Sequence, residues 1–260
     1  MSRRKRSFLK LNSTEHIMDI SLYRKFFEIQ QKHWWFVVKK AIILDTISRT
    51  RHPGAPVSNL DIGCGAGLML DALAKRGPTC GMDMSDEAIR FSQEIFKGTI
   101  KKGSLPDDVP YDAESFTLIT ALDVIEHVEE DVAALRRLKT LLVHDGVAVI
   151  TVPACMSLWS AHDVINEHKR RYTEKELVSK LTEAGFVIEQ ISYFNTLLFP
   201  IVYVVRKLNN LLGRDGASDV EMPGNIVNWI LTMIFGLEKY LLRYIWLPFG
   251  VSILAVVRKP

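Results

Sequence analysis

The chain has 260 residues, 48% of them hydrophobic and 24% charged, which supplies a globular core and excludes a wholly disordered protein. Its formal charge of +3 is too small for the clustered basic face that nucleic-acid binding uses, so no nucleic-acid partner is expected. Cys64, Cys80 and Cys155 are dispersed and form neither a disulfide framework nor a metal-ligand pair, so a reducing cytoplasmic setting without a bound metal is expected.

In chain order, residues 1–14 are a basic tail in which Arg3, Arg4, Lys5, Arg6 and Lys10 precede the first acid, Glu15. Such a tail reads as a solvated end, with contact to anionic lipid as the alternative. No apolar run follows it, so a secretory signal is not expected. Residues 15–50 read as a helical cover, because Ile17, Ile20, Phe27, Trp34, Val38 and Ile42 recur near helical spacing. The run Arg51–Pro56 breaks that pattern. Strands are then expected over 57–61, 79–83, 98–102, 116–121 and 146–152, with helices over 67–76, 85–95 and 129–142. This alternation predicts an α/β fold, a parallel sheet with helices on both faces. A helix over 173–184 and a strand over 186–193 complete a core spanning 51–195, and residues 249–260 return as its final strand. Between them, 196–248 is an apolar helical insertion.

The first strand ends in Asp61 and runs straight into Gly63, Gly65 and Gly67. Glycine lets the backbone bend sharply and approach a ligand closely, and a following helix offers N–H groups to an anionic end. A dinucleotide fingerprint requires glycine at position 68, where Leu68 stands. Asp61 instead suits the α-ammonium of an amino-acid ligand, a group that S-adenosylmethionine (SAM) carries and NAD lacks. Asp83, at the end of the second strand, stands where two ribose hydroxyls need an acceptor.

With these residues, and with Asp123-Val124-Ile125-Glu126-His127 after the fourth strand, the sequence resembles the class I SAM-dependent methyltransferases. It looks nearest to the type 11/12-like branch that includes the quinone-biosynthesis enzymes. The resemblance covers 57–154 through specific motifs and 186–258 more loosely. It implies a Rossmann-like, seven-stranded, mostly parallel sheet with one reversed edge strand, and SAM as cofactor. By the same resemblance Asp61, Gly63, Cys64, Gly65 and Gly67 lie under the methionine portion, Asp83 on the ribose and Met84 beside the adenine. Ser104 and Leu105 fall at the adenine edge, although the family commonly has Asp where Ser104 stands. Ala121 and Leu122 line the methionine chain, with Asp123 beside them.

His127 is the candidate catalytic residue, a proton acceptor near neutral pH; the alternative is that it only shapes the pocket. Glu126 reads as a loop-structuring carboxylate. Trp34 and Trp35 lie in a His-Trp-Trp-Phe run similar to one in related microbial methyltransferases. They either close over the cofactor or simply pack the N-terminal helix. Trp159, His162, Arg170, Arg171 and Tyr172 occupy the region that forms the family's acceptor wall. Arg170 and Arg171 would suit a phosphate or carboxylate on the acceptor, while Arg171 would equally suit a nearby acid.

In the insertion, Asn225, Asn228, Thr232, Gly236, Lys239 and Arg243 trace one narrow polar seam among apolar residues. Charges within it make a spanning helix costly. Three roles fit: a hairpin dipping into one leaflet, a lid over a greasy acceptor, or a homodimer face. The expected function is methyl transfer to a small or lipid-like acceptor, in the cytoplasm or peripherally on the inner face of the membrane. The rivals are a soluble methyltransferase with the insertion as lid, and a SAM-binding regulator or scaffold without turnover.

Overall fold

The computed structural model describes residues 24, 27–50, 57–211 and 222–260, with the side chains of 161, 162 and 209–211 excepted. The basic tail lies outside the described residues. Seven strands form one sheet: β1 (Asn59–Ile62), β2 (Thr79–Asp83), β3 (Thr99–Lys102), β4 (Phe116–Leu122), β5 (Leu142–Pro153), β6 (Val187–Phe194) and β7 (Ser252–Arg258). Their spatial order is β3-β2-β1-β4-β5-β7-β6. β7 runs antiparallel to both β5 and β6, and the other pairings are parallel. The reversed strand is therefore not at the edge, as the resemblance implied. β7 lies between β5 and β6, and β6 forms the edge.

Alternation along the central strands divides the core into two layers. Ala148, Ile150, Val152, Ile253, Ala255 and Val257 point to the side covered by α4 (Asp131–Leu141) and α6 (Glu174–Glu183). Val147, Val149, Leu254 and Val256 point to the opposite side, where α1 (Trp34–Arg49) and α8 (Asn225–Leu241) pack. Burial on both faces is what a largely parallel sheet requires. On the first sheet half lie α2 (Leu70–Ala74) and α3 (Asp86–Ile95). Ser85 starts α3 by accepting from the Ala88 N–H at 3.2 Å, with Asp86 and Glu87 in its first turn. α6 opens with a full capping box between Thr173 and Glu176. A short α5 (Ala161–Ile165) follows β5, and α7 (Phe199–Leu211) follows β6.

The expected helix over 67–76 is shorter, because Gly67 at φ 82° holds the turn open until Met69. The cover expected over 15–50 is interrupted in its described part. One helical turn ends by residue 30, and α1 starts afresh at Trp34. The His33 side chain caps the new helix by accepting from the Trp35 N–H at 3.3 Å. Asn228 of α8 adds a second cap, accepting from the Trp34 N–H and donating to the Lys32 carbonyl, both at 2.9 Å.

Candidate active site

Gly63, Gly65 and Gly67 all have positive φ, the conformation glycine adopts without cost. They are not equivalent. A Cβ on Gly63 would stand 2.5 Å from Val124 Cγ2, whereas one on Gly65 would meet nothing within 4 Å. The first glycine admits the chain leaving β4, and the second leaves open space above the loop. Asp83 fixes this loop to β2, its two oxygens accepting from the N–H groups of Gly65 at 2.8 Å and Ser85 at 2.9 Å.

Asp61 is buried and accepts from Thr120 Oγ1 at 2.5 Å. Burial, with the nearby Asp83 charge, pushes its carboxyl up to about 7 despite that hydrogen bond. Such a carboxyl, short of a cation and beside an open glycine loop, fits an incoming ammonium. Burial also drives the Cys64 thiol far above its ordinary range, so Cys64 acts as packing rather than as a nucleophile.

Above the loop is a cavity of about 610 Å³, lined by Asp61, Gly63, Cys64, Gly65, Leu122 and Asp123 on the sheet side. Trp34, Trp35 and Lys39 of α1 cover it, with Ile201, Val202 and Val205 of α7 and Leu231 of α8. Trp35 also stacks on Phe194 at 5.9 Å and on Phe235 at 5.4 Å between ring centroids. The same rings that pack the cover also wall the cavity. Ala121 lies fully buried beneath. Asp83, Met84, Ser104 and Leu105 lie beyond this cavity. They adjoin one another through the Gly103 N–H, which donates to the Asp83 carbonyl at 2.9 Å.

Asp123 has φ 56° and is held by Lys39 of α1 and by Thr151 Oγ1 at 2.9 Å. Burial alone would raise its carboxyl, but the Lys39 charge and these hydrogen bonds bring it below its ordinary value. Glu126 is fully buried, and neither of its oxygens has a hydrogen-bond partner among the described residues. Burial and the adjacent Asp123 charge push it well above the usual carboxylate range. His127 lines the cavity with its ring 4.8 Å from that of His168. Burial and the His168 charge lower its pKa, which keeps the imidazole neutral and able to accept a proton. His168 is oriented by Asp163, whose Oδ1 lies 2.8 Å from Nδ1. Ligand atoms of Glu126, His127 and His168 lie within 4.8 Å of one another, close enough to share one cation.

Not every residue of the expected acceptor wall reaches the cavity. Arg171 lines it but spends its guanidinium on Asp163, at 2.8 and 3.0 Å, and on the Ala154 carbonyl. Arg170 and Tyr172 are turned away, both bonding Asp131 at 2.9 Å. Trp159 is half-buried elsewhere, and the side chain of His162 lies outside the described residues. Sequence reasoning passed over Lys39, His168, Asn195 and Arg206, which do line the cavity. His168 stands three residues before Arg171, so the basic run itself carried that signal. Asn195 and Arg206 had none, being placed by β6 and α7.

Residues 38–191 match the methyltransferase domain family. The ubiquinone biosynthesis O-methyltransferase of Actinobacillus pleuropneumoniae serotype 5b is 30% identical over 98 residues, 34% of this chain and 42% of that protein. The mitochondrial ubiquinone biosynthesis O-methyltransferase of Bos taurus is 32% identical over 198 residues, 72% of this chain and 48% of that protein. The chain thus spans less than half the length of these curated relatives. A provisionally assigned sarcosine dimethylglycine methyltransferase of Galdieria sulphuraria superposes with TM-score 0.62 at 16% identity, covering 92% of this chain and 98% of that one. A SAM-dependent methyltransferase of Mesorhizobium loti gives 0.54 at 16% identity, covering 82% and 94%. With the strand order, the reversed β7 and the glycine loop beside a buried acid, the chain belongs to the class I SAM-dependent methyltransferase family.

Proposed function

We propose that this chain transfers a methyl group from SAM to a small, largely apolar or lipid-like acceptor. The observation that carries the proposal is one cavity with two kinds of wall. Asp61 and the glycine loop form a polar end, and the side chains of α1, α7 and α8 form a greasy one. When bound, SAM supplies a methyl group on a sulfonium that is already an activated electrophile. Asp61 holds its ammonium, and Gly65 gives it room. Asp83 keeps outward lone pairs toward a ribose, with Met84, Ser104 and Leu105 at the adenine side. Leu122 and Asp123 border the methionine chain. Trp34 and Trp35 exclude water and confine the acceptor, so that approach geometry supplies much of the rate. His127, neutral and facing the cavity, takes the acceptor's proton.

The curated relatives are named as O-methyltransferases of ubiquinone biosynthesis, which supports an oxygen nucleophile on an apolar molecule. Calorimetry of the intact protein with SAM and its demethylated product tests cofactor binding. Absence of heat with both would end the proposal. Radiolabelled SAM, incubated with the protein and with lipid and aqueous extracts, should label the lipid fraction. SAM binding without label in any extract would instead support a regulator or scaffold.

A further inference from the structure

The polar seam of α8 runs along its flank toward α1 and borders the inward side of the helix. Asn228 caps α1, Thr232 bonds back to the Asn228 carbonyl, and Arg243 pairs with Asp45 of α1. Phe235 and Glu238 are fully buried on the same inward side, where Glu238 accepts from the Leu197 N–H at 2.7 Å. The opposite arc is exposed and apolar. Ile226, Ile230, Met233, Leu237, Tyr240 and Leu241 recur at helical spacing, so one helix face carries all of them, and Tyr244 and Trp246 extend the patch just past the helix. Trp246 is 72% exposed and Tyr244 85%, a degree of aromatic exposure that a soluble surface seldom carries as part of one patch. The helix is therefore apolar on both sides, with Phe235, Leu231 and Ile234 packed inward and a second apolar arc left exposed.

We propose that this face is a docking surface for a lipid leaflet that contains anionic lipid, with α8 lying in the interface. Length favours lying over crossing, because no helix among the described residues is long and apolar enough to span a membrane. Chemistry favours lipid. Trp and Tyr rings prefer the headgroup boundary, and Trp229, Tyr240, Tyr244 and Trp246 are all exposed. Charge complements it. Across 196–211 and 222–249 the one acid is Glu238, which is buried, while Lys207 and Lys239 flank the apolar face with their ammonium groups 5.6 and 4.7 Å from the ring centroids of Tyr203 and Tyr240. Lys and Arg beside an apolar face meet phosphate headgroups while their stems stay in contact with the chains.

The surface is continuous with the cavity. On α7 the exposed stripe Ile201, Val204, Val205 and Leu208 repeats at helical spacing, and Ile201 and Val205 also line the cavity. An amphiphile in the leaflet would pass its head along α7 toward His127 without leaving an apolar environment. This access route rests on the reading of the cavity as the acceptor site, whereas docking itself does not. The surface lies beyond residue 191, where the family match ends.

The test sediments the intact protein with vesicles of phosphatidylcholine alone and of phosphatidylcholine with roughly one third phosphatidylglycerol. The protein should pellet with the anionic vesicles, and less with the neutral ones. Ile230→Glu with Leu237→Glu should lower the partition coefficient at least about tenfold, while the heat of SAM binding stays unchanged. Tyr244→Ser with Trp246→Ser, outside α8, should act in the same direction and serves if the helix variant fails to fold. A wild-type protein that stays in the supernatant with both vesicles overturns docking, even if SAM binds. A dimer that these substitutions convert to a monomer also overturns it, by showing a second copy on this face. Pelleting without SAM binding would leave docking standing and remove the methyl-transfer reading.

Discussion

Asp61 has lost its water, a loss that the Lys40 charge and the Thr120 hydrogen bond only partly offset, and that sets how the site responds to pH. A buried acid raised to about 7 holds its proton below that value and must release it to pair with an ammonium. SAM affinity is therefore expected to rise with pH up to about 7, falling about tenfold per unit on the acid side, and to fall again above about 8, where the free α-amino group of SAM loses its proton. Calorimetry in buffers of different ionisation enthalpy should count a proton released on binding near pH 6, and a pH-independent Kd would refute the pairing. Asp61→Asn, which keeps the shape and loses the charge, should weaken SAM by about 100-fold. The two glycines separate stability from binding. Gly63→Ala forces a Cβ against Val124 and should lower Tm through a cost of about 1–3 kcal/mol. Gly65→Ala meets open space, so its larger effect should fall on SAM affinity. His127→Ala should reduce kcat with SAM affinity preserved, and undiminished turnover would remove its role as proton acceptor. Asp61 and the glycines were legible in the sequence because a strand end, a bend and a charge sit within seven adjacent positions. Lys39 was not, because it acquires its meaning from Asp123, far along the chain.

The elements that close the site do so by borrowing one another's backbone groups. α1 has no acid in its first turn, and its N-terminus relies on His33 and on Asn228 from α8. Asn228→Ala should cost about 1 kcal/mol and speed amide exchange in the first turn of α1 while leaving α4 protected. Equal loss of protection in α4 would show that the cap serves the whole fold instead. Strand and helix positions in the central α/β units were legible from their alternation. The restart of α1 at residue 34 was not, since apolar spacing continues through the break and only Asn228 reveals it. Which apolar side of α8 packs inward was hidden for the same reason. Periodicity shows that a helix has two faces, and only its neighbour decides which one is buried.

At the scale of the molecule, the sheet is an ordinary cofactor platform, and everything particular to this protein stands on one side of it. α1, α7 and α8 share one hydrophobic layer with the outer faces of β5 and β7, so the cover, the cavity wall and the exposed apolar face are parts of one body. Detergent at sub-solubilising concentration should therefore change the fluorescence of Trp229 and Trp246 while leaving SAM affinity intact. A parallel loss of SAM binding would show that the cover itself comes away.

Placing β7 between β5 and β6 also dictates an order of assembly during translation. β6 (Val187–Phe194) leaves the ribosome well before β7 (Ser252–Arg258), the strand on which it hangs. Until then the nascent sheet stops at β5 and β6 has no neighbour to pair with. In the same interval α1 waits for a cap supplied from 194 residues downstream. Ribosome-stalled chains ending before Asn228 should consequently be cut by protease in both α1 and β6, and chains extended past β7 should be protected at both.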